Sequence, residues 1–375
     1  MNKADQFIEK RLKERRESGA YRQLKTENTL VDFCSNDYLG FGRSVELKQK
    51  IDAELAGQTR IRNGSTGSRL ISGSYTYTQD LEKQIAAYHD VEAALLFNSG
   101  YDANVGLLSS LPQRGDTIIT DELIHASAID GARLSHANRY SFKHNDLTNL
   151  EAKLKNATGA CYVLVESVYS MDGDSPPVAD ILNLTEKYGA NLIVDEAHAL
   201  GLYPKGLTEA LNLADRVFAR LFTFGKAMGC HGAVIVGNNN LREYLINFSR
   251  SFIYTTAAPI HQLAAIKMAY EQLPQAADAV QKLKSNINLF KNGYQGNACY
   301  PLINSDTAIQ CIVLKSNERT RKIAEMVQKN GFDVRPILSP TVPAGSERVR
   351  ICLHAFNTNE EISALTKLLN NLINE

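Results

Sequence analysis

The sequence predicts an α/β fold: a doubly wound, mostly parallel sheet followed by a smaller α+β C-terminal domain. Three observations carry this prediction. Several short apolar runs, such as Tyr162-Val163-Leu164-Val165 and Leu192-Ile193-Val194, are continuous and not alternating. Strands of that type are buried on both faces, as in a parallel sheet covered by helices. Helical patterns separate the runs, giving the repeated strand–helix order of a doubly wound domain. From about Pro274 onward the spacing changes, and strands and helices follow in the manner of an α+β unit.

Taken in chain order, residues 1–35 read as a charged amphipathic helix and a short strand around 30–33. Strands are then expected at 94–98, 116–120, 162–166, 192–195, 221–224 and 233–236, each a short apolar run. Helices are expected at 80–88, 147–154 and 178–188, where apolar residues recur at helical spacing. Further on come strands at 308–314 and 348–353, helices at 320–330 and 360–372, and a Pro- and Gly-rich loop at 336–345. The expected domains are 1–35, 36–272 and 273–375. There are no internal repeats and no low-complexity tracts.

Composition narrows the function. A chain of 375 residues is ample for a large core, at about 150 residues per domain. The 41 basic residues balance 41 acidic ones, which removes the electrostatic case for nucleic acid or anionic membrane as partner. With 44% hydrophobic and 22% charged residues, disorder is not the main state. The N-terminal segment lacks the apolar core of a signal peptide, and no stretch approaches the about 18 apolar residues of a spanning helix. Six cysteines are scattered without a CxxC pair, which argues for a reducing compartment and against a zinc site. A cytoplasmic protein without a metal centre is expected.

Ligands of open α/β sheets sit beyond the carboxyl ends of the strands, so the residues just after each apolar run come under scrutiny. Asn98-Ser99-Gly100-Tyr101 opens a helix and presents free backbone N–H groups, either as a phosphate cradle or as a plain strand-to-helix turn. Asp195-Glu196-Ala197-His198 spells a helicase box, but the chain has no GxxxxGK[ST] phosphate loop, which removes that reading. Asp195 is then a helix cap or the partner of a cationic ring nitrogen. Lys226, in Gly225-Lys226-Ala227-Met228-Gly229, sits among small residues between two apolar strands. That position suits a Schiff-base lysine or a phosphate-contacting one. His125 follows another strand and could stack on a ring. A phosphate cradle, an anion for a ring nitrogen and a lysine 31 residues beyond that anion are together what pyridoxal 5′-phosphate needs.

With these motifs in order, the sequence resembles the fold-type-I pyridoxal-phosphate enzymes, and more narrowly the α-oxoamine synthase family. The likeness runs through Ser35-Asn36-Asp37-Tyr38-Leu39-Gly40, Gly64-Ser65-Thr66-Gly67-Ser68-Arg69, His125-Ala126-Ser127 and Tyr169-Ser170-Met171-Asp172-Gly173-Asp174. It continues through Thr223-Phe224-Gly225-Lys226 to the 341–345 loop and Arg350. The resemblance implies a seven-stranded large sheet and a homodimer with shared active sites. It implies that Lys226 holds the cofactor and moves the Cα proton, that Asp195 pairs with the ring nitrogen, and that His125 stacks on the ring. His198 and Ser170 would lie near the ring hydroxyl. Ser99, Gly100, Tyr101 and Thr223 would hold the phosphate, and Thr255 and Thr256 would reach it from the other subunit. Asn36 and Arg350 would bind the amino-acid carboxylate, Arg350 through its planar fork; Arg348, two residues earlier, is a second candidate.

The family reaction joins an amino acid to an acyl thioester and releases CO2. Within the family, the chain looks most like the biotin-pathway member, which takes alanine and a pimeloyl thioester carried by coenzyme A or an acyl carrier protein. Arg22 is then placed to meet the distal carboxylate, or is a solvated charge at a helix end. Members using glycine with acetyl-CoA, or serine with a long acyl chain, remain alternatives. So does a catalytically silent homologue that serves as a binding subunit, although Lys226, Asp195 and His125 are all present.

Overall fold

Short apolar runs too long to leave in water and too short to be helices pair into the central sheet. A computed structural model of the chain describes residues 2–24, 26, 28–58, 62–296 and 298–374. Met1 and Glu375, the outer limits of the expected terminal regions, lie outside them. Contacts divide these residues into two units, Met1–Ser35 with Met171–Gly173 and Lys284–Glu375, and Asn36–Ser170 with Asp174–Leu283. The boundary expected at 272/273 precedes the helix Ala277–Gly293, within which the division falls.

The larger unit holds seven strands: β1 (Ala93–Phe97), β2 (Thr117–Asp121), β3 (Asn138–Phe142), β4 (Cys161–Glu166), β5 (Asn191–Asp195), β6 (Ala219–Thr223) and β7 (Ala233–Gly237). Their spatial order is β1-β7-β6-β5-β4-β2-β3. β7 runs antiparallel to both neighbours and every other pairing is parallel. The carboxyl ends of β1, β2, β4, β5 and β6 therefore share one edge of the sheet. All residues of β1 and β4 are buried, as continuous apolar runs require. One strand of this unit escaped the sequence reading, as did Phe332–Asp333 and Arg335–Ile337 of the smaller unit, the last overlapping the loop expected at 336–345 because it pairs with Arg348–Cys352. β3, Asn-Arg-Tyr-Ser-Phe, is an edge strand exposed at every position but Phe142, and so carries no apolar run. The main core joins β1, β4, β5, β6 and β7 to the helix Gly100–Ser110 through Ala103, Leu107 and Leu108.

The smaller unit is built on an antiparallel sheet ordered Arg335–Ile337, Arg348–Cys352, Ile309–Val313. The helices Asn317–Lys329 and Asn359–Asn374 belong to it. A parallel pair, Val31–Asp32 with Phe332–Asp333, fastens the N-terminal segment to this unit. The Met171–Gly173 loop is knitted in as well, since Ser305 Oγ and Thr307 Oγ1 both donate to the Gly173 carbonyl, at 2.8 and 2.9 Å. Among the described residues no helix is long and apolar enough to cross a membrane, and no cluster of His, Cys, Asp and Glu could hold a metal ion.

Candidate active site

β1 ends at Phe97, and Ser99 caps the helix that follows, its hydroxyl accepting the Asp102 N–H at 3.0 Å. The first-turn N–H groups of that helix point at the carboxyl edge of the sheet, where an anion is favoured. A Cβ added to Gly100 would lie 3.4 Å from Thr223 Oγ1, so the helix start and the Thr223 hydroxyl line one hollow that a side chain would narrow. Asn98 Nδ2 donates to Thr255 Oγ1 at 3.0 Å and to the Thr256 carbonyl at 2.9 Å within the same chain. Tyr101 is 46% exposed and its hydroxyl donates to Asp130.

Asp195 ends β5 and is buried. Its Oδ1 accepts the Ala197 N–H at 3.0 Å and its Oδ2 accepts the Asn104 amide at 2.8 Å. Asn104 sits one helical turn beyond Gly100, on the face that meets the strands, and its amide also donates to Ser127 Oγ at 3.0 Å. Ser127 Oγ lies 2.7 Å from His125 Nδ1, which accepts the Ser127 N–H at 3.2 Å. With Nδ1 accepting, the proton of neutral His125 belongs on Nε2. Burial holds His125 below the usual imidazole range; Asp195 opposes the shift and Lys226 adds to it. The imidazole is therefore neutral at pH 7, an uncharged ring suited to stacking.

Lys226 is half-buried in the loop after β6. That loop is closed by Cys230 N–H to the Phe224 carbonyl at 2.8 Å and Gly229 N–H to the Lys226 carbonyl at 2.9 Å. The lysine is close enough to His125 and Glu166 to influence the charge on both. His198 Nδ1 lies 2.7 Å from the Tyr38 hydroxyl, which donates to Asn36 Oδ1 at 3.2 Å. Ser170 is held by its N–H, which donates to Glu166 Oε2 at 3.2 Å.

The larger unit thus brings together Ser99, Gly100, Thr223, Asp195, His125 and Lys226, and joins Asn36 to His198 through Tyr38. The donor set fits pyridoxal 5′-phosphate. The hollow at Gly100 and Thr223 suits its phosphate, Asp195 its ring nitrogen and Lys226 its aldehyde. Arg22 and Arg350 belong to the smaller unit. Arg22 Nη2 donates to Thr341 Oγ1 at 3.3 Å. Arg348, the alternative carboxylate ligand, is engaged by Asp172 and by the Met171 carbonyl, and Arg350 lies on the same strand, its guanidinium donating to Cys352 Sγ at 2.8 Å. Sequence reading missed Asn104, Ser127, Glu166 and Tyr38. Each stood inside a stretch already marked, but only the partner across the fold reveals its task.

The family model for aminotransferase class I and II matches residues 28–369. An 8-amino-7-oxononanoate synthase of Emericella nidulans is 40% identical, over 95% of this chain and 92% of its own length. Among solved structures, the serine palmitoyltransferase of Sphingomonas wittichii has a TM-score of 0.88 at 25% identity, covering 99% of this chain and 97% of its own. The 8-amino-7-oxononanoate synthase of Francisella tularensis has a TM-score of 0.79 at 27% identity, covering 93% and 99%.

Proposed function

Since the chain belongs to the class I and II aminotransferases, and within them to the α-oxoamine synthases, we propose that it condenses L-alanine with a pimeloyl thioester, releasing CO2 and forming 8-amino-7-oxononanoate for biotin. It is a pyridoxal-phosphate-dependent acyltransferase. The cofactor, when bound, supplies an electron sink for a carbanion at the amino acid's Cα. Lys226 would anchor it, and its Nζ would take the Cα proton and later return it. Asp195 keeps a proton on the ring nitrogen, and Asn104 keeps Asp195 aimed. His125 presents a neutral ring face, while the helix start and Thr223 grip the phosphate. Ser170 and His198 serve the ring hydroxyl, with Tyr38 orienting His198. Asn36 and Arg350 bind the amino-acid carboxylate, and Arg22 reads the far carboxylate of the acyl chain. The working form is a cytoplasmic homodimer in which Thr255 and Thr256 of one copy reach the phosphate in the other. The thioester is carried by coenzyme A or an acyl carrier protein.

The observation that carries alanine and pimeloyl is the likeness over nearly the whole chain to an 8-amino-7-oxononanoate synthase. The test is a titration of the holoenzyme with alanine, glycine and serine, each followed by pimeloyl-CoA, reading the visible spectrum and the product mass. Product from alanine and pimeloyl-CoA alone is expected. Turnover of glycine with acetyl-CoA, or serine with a long acyl chain, would keep the fold and Lys226 but reassign the substrates. Arg22→Ala should raise KM for the pimeloyl thioester tenfold or more while leaving KM for alanine within about twofold; equal effects on both would remove Arg22 from the acyl site.

A further inference from the structure

Glu166 is a buried carboxyl to which the acyl-transfer reaction assigns no task. It ends β4 directly opposite Asp195, the last residue of β5, and is 2% exposed. Its Oε2 accepts the Ser170 N–H at 3.2 Å, and the His125 backbone N–H binds the same carboxyl. Its Oε1 is buried with no hydrogen-bond partner among the described residues. Asp195, by contrast, has a donor on each oxygen, Asn104 on one and Ala197 on the other.

Two carboxyls on paired strand ends resist being charged together, and the proton stays on the one whose charge is less well solvated. Here that is Glu166. Asp195 on β5, Lys226 after β6 and the backbone N–H groups of His125 and Ser170 act on its charge, and the Tyr169 phenol, in the loop after β4, lies within its field. Burial and Asp195 push the Glu166 carboxyl up to about 8, against the pull of Lys226 and the two backbone N–H groups. Tyr169 carries no charge near pH 7, its own ionisation opposed by burial, Asp121 and Glu166.

We propose that Glu166 is a positioning residue: in its protonated form it ties the His125 and Ser170 backbones to a single side chain and leaves the negative charge of the paired strand ends to Asp195. Oε2 is occupied by the Ser170 N–H, so the proton belongs on Oε1. Both residues it tethers are ones that meet the cofactor ring, one by its face and one at its hydroxyl. Ionisation of Glu166 would place a second negative charge beside Asp195 and within the field of Lys226, coupling the titration of the cofactor to that of the carboxyl. This inference rests on the cofactor and not on the choice of amino acid or acyl chain, so reassignment of the substrates would leave it standing.

The test is infrared spectroscopy of the holoenzyme at pH 6 and pH 9.5, with glutamate or aspartate carrying 13C in the side-chain carboxyl. A protonated-carboxyl band at pH 6 that shifts with labelled glutamate, disappears at pH 9.5 and is missing from Glu166→Gln is the expected result. In the visible spectrum, the pH titration of the cofactor should be broader than a single-proton curve in the wild type and should collapse to one in Glu166→Gln. A band that shifts with labelled aspartate would assign the proton to Asp195 and overturn the proposal. So would the absence of any protonated-carboxyl band at pH 6. The labelled wild-type protein alone decides between these outcomes if Glu166→Gln does not fold.

Discussion

Asn104 shows how much a single amide can govern. A hydrogen bond to a buried charge contributes about 1.5–3 kcal/mol, and Asn104 supplies one of the two that hold Asp195. Asn104→Ala should therefore weaken cofactor binding by the apo-protein about ten- to a hundredfold, read by fluorescence titration, while the fold survives. Unchanged affinity would show that Asp195 needs no such support. His144 is the counterpart on the structural side. It bridges Asp121 Oδ1 at 3.0 Å and Asp174 Oδ2 at 2.8 Å. Burial lowers its basicity, but the bonds and charges of the two aspartates outweigh that and lift it to about 9. A raised value means stability fully present below the ordinary imidazole range of about 6.5 and lost as pH rises through 9. Thermal scans should show Tm falling between pH 7 and 9.5 in the wild type and a flatter profile in His144→Gln. Parallel profiles would leave the bridge without a role in stability.

The elements that carry the chemistry are loops, and their backbone geometry is demanding. Gly229, three residues past Lys226, has φ +61°, and a Cβ there would stand 2.1 Å from the Gly42 backbone nitrogen. Left-handed strain and overpacking together cost about 2–5 kcal/mol. Gly229→Ala should lower Tm and slow borohydride-trappable attachment of the cofactor to Lys226, whereas Gly189→Ala, where φ is +63° but open space surrounds the site, should show the smaller penalty of strain alone. Equal losses in the two variants would mean that the close approach to Gly42 does not shape the loop. The same scale explains what was legible beforehand. Interior strands such as β4 announce themselves as unbroken apolar runs because both faces are covered. β3 does not, because an edge strand with four exposed residues of five has no reason to be apolar.

For the whole molecule, the proposed sharing of phosphate ligands between two copies has a direct consequence. A symmetric dimer with shared sites allows complementation between two inactive variants. Lys226→Ala chains mixed and refolded with Thr255→Val/Thr256→Val chains should recover about a quarter of wild-type activity. Half the dimers are mixed, and each of these has one site with both Lys226 and the two threonines intact. No recovery, with dimers confirmed by sedimentation, would place the threonines in the site of their own chain, where Asn98 already holds them.

Periodicity and turn chemistry are local properties of the chain, so the sheet's interior strands and the three motifs at their ends were legible before any packing was known. From 98 to 226 the order of cradle, anion and amine was enough to name the cofactor. Which buried polar groups meet was not legible, because it follows from how distant segments pack. Asn104 reaches Asp195 across 91 positions, and Glu166 faces Asp195 because β4 and β5 pair in one parallel register. The ion pair of Arg348 with Asp172, 176 positions away, is of the same kind. Such partnerships depend on strand order and register, which are properties of the packed chain and leave no periodic trace in any one segment.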